Sequence, residues 1–112
     1  MPSEKDRGAL GDMLRHIELA QRFVGDLNHD GLSADLQALY AVIRCLEIIS
    51  EASRRLSDDL KARHPNIPWR EMAAAGNFYR HNYEDVTSRR VWKTLQDHLP
   101  ALRTAIGEEL GQ

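Results

Sequence analysis

The sequence predicts an all-α fold, an up-and-down bundle of four to five helices, on three observations. Apolar residues recur at three- and four-residue steps over most of the chain, no stretch alternates with period two, and capping and turn residues divide the pattern into a few long pieces. Leu10, Met13, Leu14, Ile17, Ala20 and Val24 form one stripe of a first helix, expected from about Asp6 to Leu27. Asn28-His29-Asp30-Gly31 reads as a turn, with Gly31 able to take the positive φ that ends a helix. Ser33 is the expected N-cap of the second helix. That helix carries Leu36, Leu39, Tyr40, Ile43, Leu46, Ile49, Ala52 and Leu56 and is expected to be the spine of the bundle. Ser57-Asp58-Asp59 caps a short third segment through Arg63, which stops at His64-Pro65 because the residue before a proline is pushed out of the α region. Pro68 suits the first position of the next helix, expected from Trp69 to about Tyr79. A loop over 82–87 leads to Ser88, read as the N-cap of the last helix. Val91, Trp92, Leu95, Leu99, Leu102 and Ile106 form its apolar face, it ends near Glu109, and Pro100 either kinks it or splits it in two.

The 112 residues make a single domain, 1–112. Hydrophobic content of 42% and charged content of 29% exclude wholesale disorder. A lone cysteine, Cys45, excludes an internal disulfide and a multi-cysteine zinc site, and its place in the second helix predicts an inert, half-buried thiol. Long apolar runs are missing and the start, MPSEKDRGALGDM, lacks the apolar stretch of a signal peptide, so a soluble, cytoplasmic protein without membrane contact is expected. There is no glycine-rich phosphate loop, and the Asp12/His16 and Asp26/Asp30 pairs lack a third ligand in register. No metal and no cofactor is expected.

Fifteen basic and 17 acidic residues give a net charge of −2, which hides an asymmetry. From Ala52 to Lys93 nine basic residues face five acidic ones (9 − 5 = +4), and the remainder carries six against twelve (6 − 12 = −6). The positive half is either ordinary helix-surface charge or a surface that meets phosphate, and charge alone does not decide. In the second helix Arg44, Glu47, Glu51, Arg54 and Arg55 form a charged stripe. It is either a solvated ladder worth about 0.3–0.5 kcal/mol per pair, or Arg44 and Glu47 point across the bundle or into a subunit interface.

The segment PWREMAAAGNFYRHNYEDV, residues 68–86, is the most informative. Asn77, Arg80, His81 and Tyr83 crowd the end of a helix, after three alanines and a glycine that let another backbone approach. Histidine moves protons near neutral pH, and arginine holds phosphate oxygens as charge builds, which is the minimum equipment for phosphoester cleavage.

Four stretches, AVIRCLEIISEASRRL, LKARHPNIPWREM, GNFYRHNYEDV and VWKTLQDHLPAL, occur in an order that resembles the HepT-like proteins of the HEPN superfamily. The resemblance runs from MLRHIELA onward. It implies an all-α, HEPN-like homodimer acting as a ribonuclease toxin of a type VII-like toxin–antitoxin pair, neutralised by an MntA-like nucleotidyltransferase. Family activity resides in an Arg-x4-6-His motif, often RN-x3-H-x-Y, with two copies facing each other across the dimer cleft. His81 matches the histidine, Tyr83 the tyrosine and Asn77 the residue after the arginine, whereas Gly76 occupies the arginine position. Arg80, directly before the histidine, lies four residues after Gly76.

The implied function is metal-independent RNA cleavage, with His81 as general acid/base and Arg80 as a relocated phosphate clamp, supported by Asn77, Arg44 and Glu47. The RNA 2′-hydroxyl would attack the adjacent phosphate and leave a cyclic phosphate end. Because position 76 lacks the arginine, an alternative stands beside it: a HEPN dimer that keeps the fold without cleavage and serves as a nucleotidyltransferase partner or RNA-binding module. A purely structural interaction protein is a third reading. Tyr83 occupies the position that accepts inhibitory AMP groups in the family; otherwise it caps the helix or packs at the cleft edge.

Overall fold

Long amphipathic helices bury their apolar stripes only by packing on one another, and the arrangement follows from that requirement. The structure, a computed structural model, describes residues 2–81 and 85–111, with the backbone alone at 80, 81, 85 and 86. It contains α1 (Glu4–Val24), α2 (His29–Ala34), α3 (Leu36–Arg54), α4 (Asp58–Ala62), α5 (Trp69–His81) and α6 (Asp85–Lys93), then a π-helical turn (Thr94–His98) and α7 (Leu99–Leu110). The rods of the bundle are α1, α3, α5 and the α6–π–α7 run; α2 and α4 are short pieces in the connections. Asp12 of α1 meets Arg55 at the end of α3, and Asp6 meets Ser57 just beyond it, so α1 and α3 run antiparallel. Met13, Ile17 and Ala20 of α1, Val42 and Ile49 of α3, and Leu102 and Ile106 of α7 are buried in one core. Each large apolar side chain buried there contributes about 1.5–3 kcal/mol.

Several boundaries differ from the sequence reading. Ser3, not a residue near Asp6, caps α1 through its side chain to the Asp6 N–H, and α1 stops at Gly25, whose φ of 52° is a positive value that glycine adopts without a Cβ penalty. The expected turn at 28–31 is instead the start of α2: Asn28 caps it and Gly31 lies inside the helix. Ser33 is not a cap. Its hydroxyl donates back to the His29 carbonyl within α2, and Asp35 caps α3 by accepting from the Ala38 N–H. Ser57 does cap α4, as expected. The last helix begins at Asp85, so Thr87 and Ser88 are buried inside α6 and neither opens it. Within the expected loop, 82–84 lie outside the described residues. Pro100 sits in the first turn of α7, directly after the π turn, and the helical run continues through it.

Two polar clasps hold the end of the bundle where α1, α4 and α7 meet. The buried Asp6 carboxylate accepts from the Ser57 N–H at 2.9 Å and the Ser57 hydroxyl at 2.8 Å. Glu109 accepts from Arg63 Nε at 3.0 Å and Nη2 at 2.7 Å, and lies 2.7 Å from His64 Nε2. Among the described residues no helix is long and apolar enough to cross a membrane.

Candidate active site

The helix that carries the candidate residues is fixed at its start. Trp69 Nε1 donates to the carbonyls of Lys61 at 3.2 Å and His64 at 3.0 Å, which anchors the His-Pro-Asn-Ile-Pro-Trp turn, and the Met72 N–H donates to the Pro68 carbonyl. From there α5 runs to His81, two residues beyond the expected end. Positions 76 and 80 therefore lie on one helix, one turn apart.

The seam between α3 and α5 is built on Ser50. Its hydroxyl donates to the Ala73 carbonyl at 3.0 Å and accepts from the Gly76 N–H at 3.2 Å. Arg54, one turn further along α3, reaches the same carbonyl through Nε at 3.2 Å and Nη2 at 2.7 Å. Gly76 is buried, and a Cβ there would stand 3.1 Å from Ser50 Oγ and 3.4 Å from Ser50 Cβ. A side chain at 76 would require Ser50 to give way by a few tenths of an ångström. The glycine at the position where the resemblance implies arginine thus belongs to a close helix–helix approach, with Ser50 and Gly76 acting as one packing pair.

The sequence-predicted residues fall as follows. Asn77 is exposed on α5. Arg80 and His81 occupy the last turn of α5, with their side chains outside the described set, and Tyr83 lies outside the described residues. On α3, Arg44 is exposed and Glu47 half-buried, with Arg44 Nη1 3.8 Å from Glu47 Oε1. Because Ser50 meets 73 and 76 while Arg54 meets 73, α5 runs antiparallel to α3. One turn back along α3 from Ser50 is one turn forward along α5, so Glu47 and Arg44 stand at the end of the seam where positions 80 and 81 lie. The backbone brings these four to one end of one helix pair.

A cavity of about 80 Å³ lies on the other flank of α5, lined by Leu46, Met72, Ala75, Tyr79, Arg90 and His98 among others. Thr94 Oγ1 donates to the Arg90 carbonyl at 3.0 Å, so in its 3.1 Å contact with Tyr79 the tyrosine hydroxyl donates. Burial pushes the Tyr79 hydroxyl above its usual range, which keeps it protonated. The Arg90 guanidinium stacks over the Phe78 ring at 4.3 Å. Cys45 is buried, and burial raises its thiol, in keeping with the inert role expected of it.

Two residues of the seam are not evident from the sequence: Ser50 lies within an apolar helix, and Arg54 within the charged stripe of α3. The available signal was a small polar residue on the buried side of α3 together with the Ala-Ala-Ala-Gly run of α5, two surfaces that permit a close crossing.

Comparison with known proteins agrees with this architecture. The family model described as Ribonuclease HepT-like matches residues 13–108. A protein of Thermococcus cleftensis named "Probable ribonuclease HepT" is 40% identical over 94 residues, covering 84% of this chain and 86% of its own. A candidate RNase of Methanocaldococcus jannaschii is 31% identical over 105 residues, covering 93% and 96%. Another, from Caldanaerobacter subterraneus, is 29% identical over 104 residues, covering 93% of each chain. No solved structure gives a significant match. With 96 of its 112 residues inside the family model (108 − 13 + 1 = 96), the chain belongs to the HepT-like ribonuclease family.

Proposed function

We propose that this protein is a metal-independent endoribonuclease, the toxin of a toxin–antitoxin pair, with His81 as general acid/base. The observation that carries the reading is the family match over 13–108, which contains His81 on the final turn of an anchored helix. In the proposed step the RNA 2′-oxygen forms a bond to the adjacent phosphorus and the bond from phosphorus to the 5′-oxygen breaks. The 2′-hydroxyl proton leaves to a base, the departing 5′-oxygen takes one up, and a 2′,3′-cyclic phosphate remains. Histidine performs either transfer near neutral pH. Purified protein is expected to cleave single-stranded RNA in the presence of EDTA, and His81→Ala to lose about 10²–10⁴-fold of that rate. Equal cleavage by His81→Ala would remove the assignment.

The active form in this proposal is a two-fold homodimer. Exposed apolar side chains at Phe23, Leu36 and Tyr40 support a protein partner on that side of the molecule. Light scattering should give twice the 12.8 kDa of one chain. The proposed antitoxin is an MntA-like nucleotidyltransferase that transfers AMP to Tyr83. A phosphate beside the α5 terminus would compete with RNA phosphate for the same cations. Intact-mass measurement after incubation with such an enzyme and ATP should show added AMP units in the wild type and none in Tyr83→Phe.

The packing of Gly76 against Ser50 favours a second reading, a HEPN dimer that binds RNA or a nucleotidyltransferase without cutting RNA. RNA binding with intact product after long incubation would select it.

A further inference from the structure

We propose that the guanidinium of Arg54 is a phosphate-binding group of this site, holding a phosphodiester of RNA along the flank of α5 that carries Asn77 and His81. The proposal rests on the RNA-directed reading above and names the cation that reading lacks at position 76.

Four observations carry it. The first is placement. Positions 73, 77 and 81 follow at four-residue steps, so they lie along one face of α5. Arg54 reaches over from α3 to the foot of that file, donating to the Ala73 carbonyl at 3.2 and 2.7 Å. Eight residues of helix separate Ala73 from His81, about 12 Å of rise. Helix carbonyls point toward the C-terminal end, so a guanidinium bound to one is already displaced toward His81.

The second is capacity. A guanidinium has five N–H donors, of which Arg54 uses Nε–H and one on Nη2, leaving three (5 − 2) for a ligand. Its partner is a neutral carbonyl. Among the described residues no carboxylate lies within ion-pair distance of Arg54, so its charge is not neutralised there. Arg55 and Arg63 contrast with it: Arg55 Nη2 lies 2.9 Å from Asp12, and Arg63 Nη2 2.7 Å from Glu109. The three nearby arginines thus differ, and the one on the α5 seam is held by backbone alone.

The third is pre-orientation. Two hydrogen bonds to one fixed carbonyl restrict the long side chain before a ligand arrives, so less rotamer freedom is lost on binding. The fourth is the close approach at 76. That position carries no side chain and a Cβ there would press on Ser50 at 3.1 Å, so the guanidinium on this seam comes from α3.

The experiment compares wild type, Arg54→Gln, Arg54→Lys and Arg55→Gln with one fluorescein-labelled single-stranded RNA. Cleavage is read as kcat/KM, and binding as anisotropy against salt concentration. Arg54→Gln is expected to lower kcat/KM at least tenfold. It should also flatten the slope of log affinity against log salt by about 0.7, the share of one phosphate contact on a single strand. Arg55→Gln should stay within twofold of wild type in both. A merely structural role for Arg54 would leave the salt slope unchanged.

If wild type cleaves, His81→Ala does not, and Arg54→Gln matches wild type in rate and slope, the proposal is overturned while the ribonuclease reading stands. If wild type does not cleave, that reading fails. The binding arm still decides: equal affinity and slope for wild type and Arg54→Gln overturns the proposal, and a flattened slope upholds it. Should Arg54→Gln melt below the assay temperature, Arg54→Lys takes its place. It keeps the charge but not the fork, so the slope should be preserved and kcat/KM should fall at least fivefold; no fall overturns the proposal.

Discussion

Two neighbouring surfaces treat arginine differently, although Arg54 and Arg55 are adjacent in the chain. At the bundle end where α1, α4 and α7 meet, Arg55 and Arg63 are each paired with a carboxylate of another element, and Asp6 is enclosed by Ser57. Along the seam with α5, Arg54 is met by a carbonyl. A charge closed by an opposite charge holds the fold, whereas one left with unused donors is available to a ligand. Residue type does not distinguish the two uses; partner type does.

The sharpest way to break this comparison is to put a side chain where the two helices approach most closely. Gly76→Arg should cost about 3 kcal/mol, because the new Cβ meets Ser50 and a polar chain is forced into a buried contact. Combining it with Ser50→Gly should recover a large part of that loss, and chemical denaturation of the two singles and the double measures the coupling. Additive losses would show that Ser50 does not set the spacing.

Next in size is the clasp on α7. The Arg63 hydrogen bonds hold the Glu109 carboxyl at about 2 against the ordinary 4.5; burial opposes this, and His64 adds to the lowering. Since the folded value lies below the unfolded one, the contribution is fully present above pH 4.5 and is lost as pH falls toward 2. Glu109→Gln should lose about 1–3 kcal/mol at neutral pH. Its melting temperature should also fall less steeply with acid than that of wild type.

At Asp6, burial alone would raise the carboxyl, but hydrogen bonds from Ser57 and Ser3 hold it below its usual value. Asp6→Asn keeps the shape and removes the charge, and should cost about 1 kcal/mol in urea unfolding. The smallest effect is expected at Arg55, where both partners are near half exposed, with side-chain exposures of 47% and 53%. Arg55→Gln should change stability by less than about 1 kcal/mol. A larger loss there would erase the contrast between the two surfaces.

The long helices were legible because each buries several turns of a regular apolar stripe, as in Met13, Ile17 and Ala20 of α1 or Val42 and Ile49 of α3. The short α2 was not, since six residues are too few to display a helical period and Asn28 with Gly31 also suits a turn. Ser88 misled for a related reason. Serine caps helices, but it also occupies buried interior positions when a neighbouring rod leaves little room. In the site, the helix bearing His81 was readable from local residue types. The seam was not: Ser50 and Gly76 are 26 residues apart, and their pairing depends on the crossing of two rods. A local pattern carries no information about such a crossing until both helices are placed.

The π turn at 94–98 gives the chain a phase marker. The Leu99 N–H donates to the Thr94 carbonyl, five residues back, where an α-helix would reach Leu95. One surplus residue is thereby absorbed before Pro100, which has no N–H to continue the ladder. Were the same residues wound as a regular α-helix, α7 would be rotated by about 100° about its axis, the turn per residue of an α-helix. Leu102 and Ile106, now buried, would swing away from the core. The wider turn works like the offset tooth of a gear: it takes up one residue so that the terminal helix keeps its buried face inward, and a further insertion there would turn that face by the same angle.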